Sequence, residues 1–128
     1  MRLLLDSHAF LWYVLNDSQL STDAQQAIND PNNDVLISAA TYWEVAIKIS
    51  VGKYKLTRSF IDFFTDHIAR NGFHILPITL QHADNVTQLP LHHRDPFDRL
   101  LSAQSLVESI ALVSNETQFD QYGVNRVW

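Results

Sequence analysis

Four short apolar runs, separated by stretches that carry helix-start signals, confine this chain to an α/β architecture with a largely parallel sheet. Residues 2–5 read as a buried strand, Asp34-Val35-Leu36-Ile37 as a second, Phe73-His74-Ile75-Leu76 as a third and Ile110–Val113 as a fourth. Val124–Val127 adds a short fifth. A helix is expected from about His8 to Leu15. Ser21 suits the N-cap of another over residues 22–29, which Pro31 and the Asn32-Asn33 turn end. Ser38 caps the next, which stops near Val51 and Gly52. Ser59, with Asp62 three residues on like a capping box, starts a helix closed by Asn71-Gly72. Thr79 opens one over residues 80–88, and Asp95-Pro96 opens the last, to about Ser109.

Strands this apolar are buried on both faces, and strand–helix–strand units close by right-handed crossovers. The expectation is a three-layer α/β/α sandwich with a mostly parallel central sheet, one domain over residues 1–128. No repeat, linker or low-complexity stretch divides it.

Four acidic residues stand where such a topology would gather them. Asp6 follows the first strand and Glu116 the fourth; Glu44 sits inside an amphipathic helix and Asp98 near a helix start. Ligands of open α/β sheets bind beyond the carboxyl ends of the strands. Carboxylates collected there repel one another unless a cation joins them, and a hard, oxygen-seeking ion such as Mg²⁺ suits them. Metal-assisted phosphoryl chemistry is therefore the leading reading.

Each acid also has an ordinary structural explanation. Asp6 reads equally as a cleft ligand or as the cap of the following helix, and Ser7 as a ligand or a turn hydroxyl. Glu44 pairs naturally with Lys48 four residues on, a contact worth about 0.3 kcal/mol. Its apolar neighbours, among them Trp43, Val45 and Ile47, leave that helix a narrow polar face. Asp95 is most simply an N-cap, Asp98 fits a capping box or the positive helix end, and Glu116 fits a first helical turn. His92 and His93 are adjacent and share no face of a helix or strand, so they read as loop residues near a substrate rather than as a ligand pair. Only the joint placement of the acids lacks an ordinary explanation.

A net charge of −5 argues against nucleic acid as a partner, although a bound cation would offset it locally. The bases are clustered: Lys48, Lys53, Lys55 and Arg58 in one stretch, Arg94 and Arg99 around Asp95 and Asp98. The absence of cysteine removes disulfides and thiolate metal sites and is compatible with a reducing compartment. No secretory signal pattern and no membrane-length apolar run are seen, so no membrane association and a cytoplasmic location are expected.

The blocks Leu5-Asp6-Ser7-His8-Ala9-Phe10-Leu11-Trp12, Thr41-Tyr42-Trp43-Glu44-Val45-Ala46-Ile47-Lys48, His92-His93-Arg94-Asp95-Pro96-Phe97-Asp98-Arg99 and Phe119-Asp120-Gln121-Tyr122-Gly123-Val124 together resemble the PIN-domain ribonucleases. Within that family they are most similar to VapC-type toxins of type II toxin–antitoxin systems. The resemblance implies an acidic pocket that holds Mg²⁺ or Mn²⁺ and cleaves RNA. By position, Asp6, Glu44 and Asp98 match its three core acids. Glu116 falls where the family usually carries Asp, one methylene shorter, so direct metal contact and contact through a water are both open. Ser7 stands in place of a common Thr, Asp95 lies close to the pocket, and Arg94 or Arg99 would face charge on the phosphate. A protein antitoxin and a homodimer are implied as well, with Trp12, Tyr13, Phe63 and Phe64 either serving those contacts or lying in the core.

Two other acidic-pocket folds fit poorly. A receiver domain needs an acceptor Asp after its third strand, where this chain has Pro77-Ile78-Thr79, and a haloacid-dehalogenase-type phosphatase needs Asp at His8. A non-catalytic module that keeps the fold and binds only protein or RNA is the alternative from another class. The three core acids argue against it; the net charge and Glu116 argue for it.

Overall fold

A computed structural model describes residues 1–128. Its elements run β1 (Arg2–Leu5), α1 (Ser7–Val14), α2 (Thr22–Asn29), β2 (Asp34–Ser38), α3 (Ala39–Ser50), α4 (Phe60–Arg70), β3 (His74–Leu76), α5 (Leu80–Gln88), α6 (Pro96–Glu108), β4 (Ala111–Val113), a 3₁₀ segment (Thr117–Tyr122) and β5 (Arg126–Val127). All strand pairs are parallel, in the order β3-β2-β1-β4-β5. The chain moves outward from β1 in one direction through β2 and β3, then crosses to the other side for β4 and β5. That reversal opens a crevice beyond the carboxyl end of β1.

Register explains why the strands are apolar without alternation. Leu3 aligns with Val35 and Ala111, Leu4 with Leu36 and Leu112, and Leu5 with Ile37 and Val113. Successive side chains point to opposite faces. One face carries Leu3, Leu5, Val35, Ile37, Ala111 and Val113, packed against α1, α2, α3 and α4. The other carries Leu4, Leu36 and Leu112, packed against Leu101 of α6 and against Phe119 and Tyr122 of the 3₁₀ segment. Both faces are covered, so every strand position needs an apolar residue.

The larger core layer is built around Phe10. Its ring stacks on Phe64 at 5.3 Å and meets Phe63 and Phe73 at 6.4 and 6.3 Å. Phe63 and Phe64 are therefore buried core residues and not contact surface. Trp12 and Tyr13 are half-buried; Trp12 lies between His8 and Trp128. β3 begins at His74 because the Phe73 N–H donates to the Ile68 carbonyl at the end of α4, while its ring joins the aromatics.

Helix starts follow the expected caps. Ser21, Ser38, Ser59 and Asp95 accept backbone N–H groups of Ala24, Ala40, Asp62 and Phe97. The reciprocal box forms at α5, where Thr79 Oγ1 accepts from the His82 N–H and His82 Nδ1 accepts from the Thr79 N–H. No helix is long and apolar enough to cross a membrane.

Phe10→Ala should cost about 3–5 kcal/mol, because a fully buried ring in a tightly packed cluster leaves a cavity. Urea unfolding should show a lower midpoint at unchanged slope. A loss below about 1 kcal/mol would contradict this packing.

Candidate active site

The crevice beyond β1 is a pocket of about 100 Å³ lined by Asp6, Ser7, His8, Glu44, Lys48, Asp95, Asp98 and Glu116, with no hydrophobic residue among them. It has room for several waters or hydrated ions. The topology delivers each side chain. Asp6 leaves β1, and its N–H donates to the Val113 carbonyl at 3.1 Å, carrying the β1–β4 pairing to the pocket floor. Glu44 comes from the second turn of α3, Asp95 and Asp98 from the start of α6, and Glu116 from the turn after β4.

Asp6 serves as a helix cap and also lines the pocket. Its Oδ1 accepts from the Ala9 N–H at 2.8 Å and caps α1, while the carboxylate lines the pocket. Asp95 does the same for α6, with its Oδ1 2.8 Å from the Phe97 nitrogen. Glu44 is buried, accepts a hydrogen bond from the Ser7 hydroxyl, and faces Lys48 Nζ at 3.7 Å. Asp98 completes no capping box; its Oδ2 lies 2.9 Å from His93 Nε2. His93 Nδ1 accepts from the Asp95 N–H at 3.1 Å, so Nε2 carries the proton that it donates to Asp98. Glu116 is the N-cap residue of the 3₁₀ segment yet makes no side-chain cap bond, which leaves its carboxylate to the pocket.

Crowded carboxylates resist ionisation. Burial, followed by the charges of Asp95, Glu44, Asp6 and Glu116, pushes Asp98 up to about 7. Burial also raises Asp6; hydrogen bonds from the Ser114 hydroxyl and the Ala9 N–H, and then His8, oppose the rise.

The structure separates the two arginines. Arg99 is withdrawn from the role of facing the phosphate: its guanidinium donates to the carbonyls of Val86, Leu89 and Pro90 and to Tyr122 Oη. It staples the loop between α5 and α6. Tyr122 Oη also accepts the His93 N–H, so this staple holds the residue that orients Asp98. Arg94 is exposed beside the pocket. The sequence reading gave Ser114 no role, although it is fully buried directly after β4 and two residues before Glu116. Its hydroxyl accepts the Glu116 N–H at 3.0 Å and bonds Asp6, tying two pocket acids together.

Apart from the His8 imidazole, the donors are carboxylate and hydroxyl oxygens, and they carry more negative charge than the Lys48 ammonium offsets, which matches a hard divalent cation. No three of the acidic and histidine side chains close into a ready ligand cluster, and the core carboxylates are engaged by Ala9, Ser7, Lys48 or His93. A cation would replace contacts of that kind.

Fold and pocket together define a parallel α/β sandwich with an acidic centre at the point of strand-order reversal. The PIN domain family model matches residues 3–125, and the chain belongs to that family. No curated protein matches it by sequence. Solved structures share its fold. A VapBC2 complex from Rickettsia felis, bound to a DNA fragment from its promoter, has a TM-score of 0.71 at 14% identity, covering 100% of both chains. A DNA-bound VapBC from Salmonella typhimurium has a TM-score of 0.72 at 16% identity, covering 98% of this chain and 96% of that one. A toxin–antitoxin complex from Klebsiella pneumoniae has a TM-score of 0.57 at 19% identity, covering 89% and 86%.

Two expectations follow. In the folded chain Asp98 keeps a proton between about pH 4 and pH 7 that the unfolded chain releases, so its contribution to stability falls as pH rises through that window. Asp98→Asn should therefore unfold at a higher temperature than the parent above pH 7 in EDTA, with the gap closing toward pH 4. A pH-independent difference would refute the crowding. Arg99→Ala should destabilise by about 2 kcal/mol, the loss of charge-assisted bonds to several carbonyls, read by thermal unfolding.

Proposed function

We propose that this chain is a divalent-metal-dependent endoribonuclease, the VapC-type toxin of a toxin–antitoxin pair, acting on cellular RNA in the cytoplasm. The observation that carries the reading is the convergence of Asp6, Glu44, Asp98 and Glu116 in one wholly polar pocket. Membership of the PIN family and the likeness to VapBC complexes support it.

In this reading Asp6, Glu44 and Asp98 hold Mg²⁺ or Mn²⁺, with Glu116 reaching the same centre directly or through water. When bound, the cation supplies a water of lowered pKa and polarises the phosphate. The protein's part is to fix and charge its carboxylates. Ser7 aims Glu44, His93 aims Asp98 and Ser114 aims Asp6. Asp98 is pushed up to about 7 by burial and its neighbouring carboxylates, and a bound cation would favour its ionised form. Asp95 adds charge at the rim while capping α6, and Arg94 stands on the approach side for the phosphate backbone. A protein antitoxin and self-association as a homodimer belong to the same reading.

The test is RNA cleavage by protein freed of any co-purifying partner, with Mg²⁺, Mn²⁺ or EDTA. Cleavage should require the cation and fall by about 100-fold or more in Glu44→Gln and Asp98→Asn. Asp6→Asn should also abolish it, with some loss of stability from the weakened α1 cap. Full cleavage by folded Asp98→Asn would overturn the assignment. No cleavage of diverse RNAs, together with no Mg²⁺ binding in calorimetry, would mark a non-catalytic module.

A further inference from the structure

We infer that the groove beside the acidic pocket is the bed for the single-stranded RNA flanking the scissile phosphate, with Trp43 as a base-stacking platform and Lys48, Lys53 and Arg94 as phosphate contacts. This rests on the nuclease reading and adds where the strand lies. The pocket itself, at about 100 Å³, has space for ions and a phosphate, not for bases. The adjoining groove is about 460 Å³ and shares Glu44, Lys48 and Asp95 with the pocket, so a strand leaving one enters the other.

Charge points to the occupant. The chain has nine Lys and Arg residues against 14 Asp and Glu, yet three of the nine line this one groove. Lys53 and Arg94 are exposed and take part in no ion pair. The fold turns the chain sharply to put Lys53 there. Gly52 adopts φ +77°, a conformation that disfavours any side chain, and the Lys53 N–H then donates back to the Lys48 carbonyl at 2.8 Å.

Trp43 supplies the second half of the signature. It precedes Glu44 on α3, is 58% exposed and stands just outside the groove's lining, joined to it by an edge contact at 5.5 Å with Phe97, which lines the groove. An exposed, braced indole beside unpaired cations is the combination that binds single strands, with bases on the ring and phosphates on the ammonium and guanidinium groups. A duplex keeps its bases stacked on one another and offers the ring nothing comparable.

The experiment measures binding of a short fluorescein-labelled single-stranded oligoribonucleotide by anisotropy in EDTA, where no cleavage intervenes, using partner-free protein. Circular dichroism confirms folding, which the exposure of these side chains favours. Trp43→Ala should weaken binding about tenfold while Trp43→Phe retains it. Lys53→Glu with Arg94→Glu should weaken it further and flatten its salt dependence. A blunt duplex should bind weakly and not distinguish Trp43→Ala from the parent. If the parent cleaves RNA but Trp43→Ala binds and cleaves like it, the groove is not the strand's bed, the nuclease reading stands, and Trp43 is left for a protein partner. If the parent neither binds nor cleaves RNA, both readings fall.

Discussion

Everything in this molecule is arranged around β1, a strand hydrogen-bonded on both edges and sealed on both faces. Its three leucines are fully buried, so the residue after them is the first that can meet water. That residue is Asp6. The parallel sheet sends the helices after β1 and β2 off from the same end, and the reversal of strand order at β1 holds the crevice open there. The polar pocket is therefore a result of chain topology before it is a result of any side-chain contact.

Electrostatics then sets what the pocket can be. Five carboxylates and one lysine line a small, partly dry space. Partial neutralisation relieves the crowding: an Asp98 pushed up to about 7, hydrogen bonds from Ser7, Ser114 and His93, and the positive ends of α1 and α6. Positive charge of any other origin is in competition with those devices. The site is thus held in balance, not at rest.

Much of this was legible in the sequence. The apolar runs without alternation gave the buried parallel strands, and the capping residues gave the helix starts. Asp6 and Glu116 were singled out after strands, Glu44 inside an amphipathic helix and Asp98 near a helix start, and all four line one pocket. What was illegible depends on contacts distant in the chain. Arg99 looks like a phosphate ligand until the carbonyls of Val86, Leu89 and Pro90 are brought around it. The pairing of His93 with Asp98 needs the loop that Arg99 staples. Phe63 and Phe64 read equally as contact surface or as core, and their packing on Phe10 places them in the core. The third and fourth strands start one residue later than expected because Phe73 and Ile110 donate their N–H groups to the Ile68 and Ser105 carbonyls at the ends of α4 and α6.

The double duty of Asp6 and Asp95 gives the pocket two kinds of acid. Those two begin helices as well as charge the site, so a substitution at either is felt by the fold. Glu44 and Glu116 cap nothing. A lineage under pressure to silence such a protein has an easy route through the glutamates, which yields a folded, inert copy still able to occupy whatever surface recognises the fold. Loss through Asp6 or Asp95 erodes the scaffold along with the charge. Decoys, if this fold produces them, should carry their scars at the glutamates.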